Sequence, residues 1–273
     1  MELSEIHEHW TRWAMLYGTD LRATTKASTP KILELDALTR RLRTIFGDQA
    51  GADVLEVGCG NGVNCVALAK SFPKLRFDGV DFVQEMVQAA TERARAAELA
   101  DVRFFVGNVL EVGLMEGLRS DYAAVFTDRC LINLNSLDLQ KTAIERLAAK
   151  VSPGGHLLMI ENSMVTYGEQ NRYREILGLP ARVPASFNLF FDEAAICEHV
   201  EHLGLDLVQI EDFISLHDLV LYVLVPAING GQVDYEHPLI KVATMLSVAV
   251  SASKPSAFGA VGQNRLFDWR KPS

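Results

Sequence analysis

The sequence predicts an α/β fold: a seven-stranded, mostly parallel sheet with helices on both faces, extended by helical lid segments at the N-terminal and C-terminal ends. Three observations point there. From about residue 53 to 161, short apolar runs alternate with helical patterns, the mark of right-handed βαβ crossovers. A glycine-rich turn directly follows the first run. The chain has 273 residues, 49% hydrophobic and 22% charged. That is the mix of a globular domain rather than a disordered chain. The length fits one α/β domain with insertions better than two full domains.

The elements follow in order. Trp10, Trp13 and Tyr17 lie in the first fifty residues, before a helix over 30–46 with Pro30 in its first turn. The β-branched run 53–57 ends in glycines and reads as a strand. Residues 63–71 carry apolar positions at helical spacing, and 75–81 is the next strand. The Ala- and Glu-rich stretch 84–99 has strong helix propensity. Strands over 102–106 and 122–127 follow. Ser136 caps an amphipathic helix over 137–150, the turn 152–155 stops it, and 156–160 is a strand. A helix over 191–203 capped by Asp192 leads to strands at 205–213 and 264–270. Between those two strands lie about fifty residues, with a small-residue helix near 239–250, far more than a hairpin needs. This organisation gives an N-terminal helical cover, 1–50, and a main domain, 51–273, in which 163–190 and 214–262 are substrate-covering insertions.

Composition excludes several classes. No stretch of about 18 uncharged apolar residues exists, so no membrane partner is expected. The N-terminus has acids where a signal peptide needs bases. Cys59, Cys65, Cys130 and Cys197 form no CxxC pair and read as reduced thiols of a cytoplasmic protein. The net charge of −9 disfavours a nucleic-acid partner, because phosphate contacts require clustered Lys and Arg. No His/Asp cluster has metal-ligand spacing, so no metal is expected.

The sharpest signal is the segment Val54-Leu55-Glu56-Val57-Gly58-Cys59-Gly60-Asn61-Gly62. A strand runs into a glycine turn that lets a ligand touch bare backbone at the carboxyl end of the sheet. A dinucleotide site wants GxGxxG. Here the spacing is Gly58-x-Gly60-x-Gly62, and Val63 stands at the third Rossmann position. Glu56 offers an anion, awkward for pyrophosphate and suited to a cation.

This motif resembles the first motif of class I S-adenosylmethionine (SAM)-dependent methyltransferases. Further stations appear in order at Asp81-Phe82, Gly107-Asn108-Val109, Thr127-Asp128-Arg129 and the Pro153-Gly154-Gly155 turn. The resemblance implies that SAM is the cofactor and S-adenosylhomocysteine the product. It implies a cofactor site made of Glu56, Gly58, Cys59, Gly60, Asn61, Gly62, Asp81, Phe82, Met86, Asn108, Val109, Thr127 and Arg129. In the family, the acid at Asp81 takes the ribose hydroxyls and the next residue lies against adenine. Asn108 departs from the usual Asp, but its amide oxygen can accept from the adenine amine. The segments 128–134 and 264–267 and the long C-terminal insertion are similar to small-molecule methyltransferases of natural-product and sugar pathways.

Methyl transfer requires an acceptor held near the methyl group, water excluded, and a base where an amine or alcohol loses a proton. His217, just after the sixth strand, is the leading base by location. Asp128, Arg129 and Glu161 lie at the same rim as substrate or base candidates, with Tyr167 and Asn188 beside them. Arg129 can clamp a carboxylate or phosphate, or pair with Asp128 or Glu161. Lys26 can face the methionine carboxylate. The expectation is transfer to an O or N atom of a small polar metabolite in a biosynthetic reaction. Two alternatives remain: an NAD(P)-dependent oxidoreductase, and a non-catalytic SAM-binding protein. The acceptor, and whether the protein is a homodimer, are left open.

Overall fold

The computed structural model describes residues 2–47, 51–251 and 259–273. Helices α1 (Leu3–Tyr17) and α2 (Ser28–Phe46) precede the sheet. The sheet consists of β1 (Asp53–Val57), β2 (Arg76–Asp81), β3 (Val102–Val106), β4 (Tyr122–Asp128), β5 (Val151–Asn162), β6 (Asp206–Glu211) and β7 (Asn264–Arg270). Its order is β3-β2-β1-β4-β5-β7-β6. β1 to β5 run parallel, and β7 pairs antiparallel with both β5 and β6. The order reverses at β1, where the chain leaves towards β2 on one side and later returns as β4 on the other. Ligands of open α/β sheets collect in the crevice at such a switch point.

Helices α3 (Val63–Ser71), α4 (Gln84–Ala96), α5 (Leu137–Ala149), α6 (Met164–Ile176) and α7 (Glu193–His202) fill the crossovers. Alternation along the strands feeds two cores, because successive side chains point to opposite faces. Val54, Phe77, Phe126 and Leu158 pack with Leu38 and Leu42 of α2 and Leu68 of α3. Leu55, Val80, Val125 and Leu157 pack with Ile144 of α5 and Ile196 and Val200 of α7. Ser136 caps α5 by accepting from the Leu139 N–H at 3.2 Å. Asp192 caps α7 by accepting from the Ala195 N–H at 3.2 Å. Each cap is worth about 1 kcal/mol.

The C-terminal insertion is helical. A run from Ser215 to Ile228 comprises α8 (Ser215–Leu219), a π-helical turn (Val220–Leu224) and α9 (Val225–Ile228); α10 (Pro238–Ser251) follows. Pro226 explains the π turn. It has no N–H to give the Tyr222 carbonyl four residues earlier, and Arg174 of α6 donates its Nη1 to that oxygen instead.

Two predicted boundaries need correction. Helix α2 starts at Ser28, so Pro30 sits in the first turn but not at its first position; N–H groups there have no helical partner to lose. Strand β5 starts at Val151, so 152–155 are strand rather than turn. The register shifts opposite Tyr122 and Ala124, and a bulge tolerates proline in a strand. The predicted segments 1–50 and 214–262 fall partly on residues 1, 48–50 and 252–258, outside the described residues. Among the described residues no helix is long and apolar enough to cross a membrane.

Candidate functional site

A cavity of about 710 Å³ opens at the carboxyl ends of β1, β2 and β4. Its floor is the glycine loop. Gly58 and Cys59 both donate their N–H to the Val80 carbonyl, at 2.8 and 2.9 Å, which turns the chain sharply off β1. Gly58 has φ +77°, and a Cβ there would stand 2.5 Å from Cys130 Cβ and Sγ. At Gly60, φ is +51° and a Cβ would stand 2.6 Å from Thr24 Cγ2. Side chains are thus barred twice over, by backbone conformation and by close approach.

Two buried acids face this loop. Asp81 ends β2; its Oδ2 accepts from the Gly60 N–H at 2.8 Å and its Oδ1 from the Val83 N–H at 3.0 Å. Burial pushes its pKa up to about 6 against those two donors. Glu56 on β1 accepts from Asn64 Nδ2 at 2.8 Å and from the Cys65 thiol at 3.0 Å. Burial pushes it up to about 8, and the two side-chain donors oppose the shift.

Four charges lock α2 to the end of β4. Lys31 pairs with Asp128, and with Glu34 at 2.7 Å. Arg129 Nε lies 2.9 Å from Glu34 Oε1 and 3.6 Å from Asp128 Oδ1. Asn264 of β7 donates to Glu34 at 2.8 Å, and Asn64 of α3 donates to Asp128 at 2.9 Å. Burial works against the charge on Lys31, but Asp128 and Glu34 outweigh it and raise its pKa. Burial likewise opposes ionisation of Asp128, yet Lys31 and Arg129 hold its pKa below the usual range. Arg129 itself has φ +56°, an uncommon conformation for a side-chain-bearing residue. Its N–H donates to Ile160 O at 2.7 Å.

The N-terminal segment closes over this floor. Asn61 donates its Nδ2 to Gly18 O at 2.9 Å and Asp20 O at 2.8 Å. Arg93 donates to Asn61 O at 2.9 Å and also reaches Thr19 O. Trp10 and Tyr17 of α1 pack with Val83, Met86 and Phe82. Trp10 also donates to Asn133 Oδ1 at 3.2 Å.

Among the predicted cofactor residues, Glu56, Gly58, Cys59, Gly60 and Asn61 line the cavity, as do Asp81, Phe82, Met86, Asn108 and Val109. Lys26, Asp128, Arg129, Tyr167 and Asn188 line it too. Four predicted residues lie elsewhere. Gly62 caps α3 and packs towards Ala90 and Phe104. Thr127 is fully buried and donates to Glu161 at 2.8 Å. Glu161 is fully buried behind the wall. It accepts from the N–H groups of Cys130, Leu131 and Ile132 at 3.0–3.2 Å, so it anchors the loop after β4. Burial carries its pKa up to about 7 even so. His217 is fully buried, with Nδ1 2.8 Å from Asp218 Oδ1 and Nε2 3.0 Å from Thr29 Oγ1. It ties α8 to the start of α2, and the neighbouring Asp218 lines the cavity in its place. Of the expected contacts, the Arg129–Asp128 pair is present and two details differ. Arg129 pairs with Glu34 in addition to Asp128, and Glu161 is not among its ion-pair partners. Asn108 turns its amide oxygen back to accept from the Leu110 N–H at 3.0 Å.

Sequence reasoning missed Lys31, Glu34, Asn64, Asp218, Arg182 and Tyr222. Lys31 and Glu34 had a signal, because both fall on the apolar stripe of α2 with Leu38 and Leu42, where an isolated charge would be costly. Asp218 stands beside His217, the predicted base. Arg182 sits in a loop with no periodicity to place it.

A family model described as a methyltransferase domain matches residues 48–203, more than half of the chain. An uncharacterized protein of Rickettsia prowazekii (strain Madrid E) is 25% identical over 142 residues, 52% of this chain. The chain covers only 54% of that relative's length. A tRNA N(3)-methylcytidine methyltransferase of Schizosaccharomyces pombe is 27% identical over 184 residues, 64% of this chain and 73% of that protein. The crystal structure of N-methyltransferase NodS from Bradyrhizobium japonicum WM9, in complex with S-adenosylhomocysteine, superposes with a TM-score of 0.57 at 14% identity. The superposition covers 98% of this chain and 99% of that one.

Proposed function

The chain belongs to the class I SAM-dependent methyltransferases, and from that premise we propose that it methylates an O or N atom of a small polar metabolite. The observation that carries the reading is the lining of the cavity. The glycine loop, Asp81 and Glu56 line the same cavity as Tyr167, Asn188, Phe190 and Tyr222. The net charge of −9 supports a small acceptor over a nucleic acid.

The donor set suits SAM. Each Asp81 oxygen accepts one backbone N–H and keeps acceptor capacity for a ribose hydroxyl. Asp128 Oδ1, buried in the wall, has no hydrogen-bond partner among the described residues and keeps acceptor capacity for a ligand N–H or O–H. Bound SAM supplies an activated methyl group. The protein's part is to hold the acceptor in line and exclude water. In this reading the described parts of 2–47, 163–190 and 214–262 serve as the cover. Asp218 is the base candidate, since its carboxylate is on the wall and His217 holds it from behind.

Thermal unfolding with S-adenosylhomocysteine, NAD⁺ and NADPH tests the cofactor. A ligand at about a hundred times its Kd adds roughly 2.7 kcal/mol, so only the first should raise the midpoint. A shift with a nicotinamide alone would return the chain to the oxidoreductases. Product release from SAM is then followed with pooled metabolites and with bulk tRNA. Turnover on tRNA alone would overturn the small-molecule reading, and binding without any turnover would favour the non-catalytic one.

A further inference from the structure

The acceptor half of the cavity contains a cation that no carboxylate of the described structure neutralises. Near the glycine loop the buried cations are matched, Lys31 by Asp128 and Glu34, and Arg129 by Glu34 and Asp128. Lys26 is exposed. Arg182 is different. It is partly buried, lines the cavity, and makes no ion pair with a described residue. Neutral oxygens hold it in place, Gln170 Oε1 at Nη1 and Gln263 Oε1 at Nη2, the latter at 3.0 Å. Its guanidinium lies 3.5 Å from the centre of the Tyr222 ring and 5.2 Å from that of Tyr167.

A guanidinium has five N–H donors, and these two bonds leave three without a described partner. A second guanidinium deepens the imbalance. Arg174, 3% exposed, donates to Pro180 O at 2.9 Å and to Tyr222 O, again with no carboxylate. Burial and then the charge of Arg182 lower its pKa. Asp218, an acid on the same wall, meets His217 and the Gln263 N–H at 2.6 Å and forms no ion pair with Arg182 or Arg174. Two like charges gathered in a partly dry site are costly unless an anion joins them. Arg, with its rigid fork on an aromatic face, is the side chain suited to an oxyanion.

We propose that the methyl acceptor carries an oxyanion, a carboxylate or a phosphate, which docks on Arg182 while its apolar part lies against Phe187 and Phe190. This inference rests on the methyl-transfer reading above. Phe187 meets His9 of α1 at 4.8 Å, which links this part of the lining to the N-terminal helix.

The test is calorimetric titration of the protein saturated with S-adenosylhomocysteine. The probes are 4-hydroxybenzoate, phenyl phosphate and, as the neutral control, 4-hydroxybenzamide. At least one anion should bind at least tenfold tighter than the amide, and the tighter of the two identifies carboxylate or phosphate. Arg182→Gln should erase the preference, Arg182→Lys should restore part of it, and both should keep S-adenosylhomocysteine affinity within about twofold. Equal binding of all three probes, no binding of either anion, or a preference that survives Arg182→Gln overturns the inference. If S-adenosylhomocysteine does not bind the wild type, the methyl-transfer reading fails instead, and the same titrations on the ligand-free protein still decide the anion site.

Discussion

At the residue scale, Glu56 couples the site to pH. Its pKa is raised from 4.5 to about 8, so the group is mostly neutral at pH 7 in the ligand-free protein. A cationic ligand beside it favours the carboxylate and expels a proton. SAM affinity should therefore rise with pH between about 6.5 and 8, by at most about tenfold per unit. Glu56→Gln should bind more weakly with a flat profile over that range. A flat wild-type profile would remove Glu56 from cation binding. Stability runs the other way. A carboxyl whose folded pKa is raised contributes stability below its unfolded value of 4.5 and loses it as pH climbs through about 8. The ligand-free wild type should thus lose stability relative to Glu56→Gln as pH rises from about 4.5 to about 8, with no further change above that. His217 and Asp218 separate in the same manner. His217→Ala leaves Thr29 and Asp218 without their buried partner, which costs about 1–3 kcal/mol. Its melting temperature should fall by several degrees. Asp218→Asn should instead cut turnover about a hundredfold. Lost turnover in His217→Ala at unchanged melting temperature would restore the histidine as the base.

At the element scale, helix α2 is both a packing element and a wall of the site. One face buries Leu33, Leu38 and Leu42, and its first turns present Lys31 and Glu34 to Asp128 and Arg129. Lys31→Met removes the cation from two buried carboxylates. Breaking such a pair costs about 3–5 kcal/mol, read by denaturant unfolding. Pairing Lys31→Met with Asp128→Asn should recover part of that loss, because the two sites share one network. Strictly additive losses would show that the network contributes no coupling. These elements also show what the chain made legible. Strands β1, β3 and β7 and helix α3 lie on their predicted residues, because alternating β-branched runs, glycine turns and helical spacing agree there. The start of β5 was hidden because Pro153-Gly154-Gly155 carries turn chemistry, and only pairing with β4 and the chain end holds it extended. The glycine loop and the buried acids of β1 and β2, proposed here as the cofactor floor, could be placed at the cavity from the glycine spacing and the strand ends. The acceptor half could not, since Arg182, Asp218 and Tyr222 meet only through long-range packing of irregular segments.

At the scale of the whole molecule, the sheet is a fixed floor and two distant parts of the chain form the roof. Helix α1 brings His9 and Trp10 to Phe187 of the loop before α7, at 4.8 and 6.3 Å. Residues 18–20, just after α1, are fastened to the glycine loop through the side chain of Asn61. A roof joined by few polar bonds at one edge and by rings at the other opens more easily than the sheet beneath it. A ligand under such a roof shifts the closed population only as far as it binds that state better. Hydrogen exchange should then report closure as one event. Adding S-adenosylhomocysteine should slow exchange in α1 and in residues 182–190 together, with α5 and α7 unchanged. Asn61→Ala removes two bonds to the segment without touching either core, so it should speed exchange in α1 several-fold and weaken ligand protection of the distant 182–190 loop as well. Protection confined to the glycine loop, or an Asn61→Ala effect that stops at α1, would mean that the two halves of the roof move independently and that the acceptor end closes on its own.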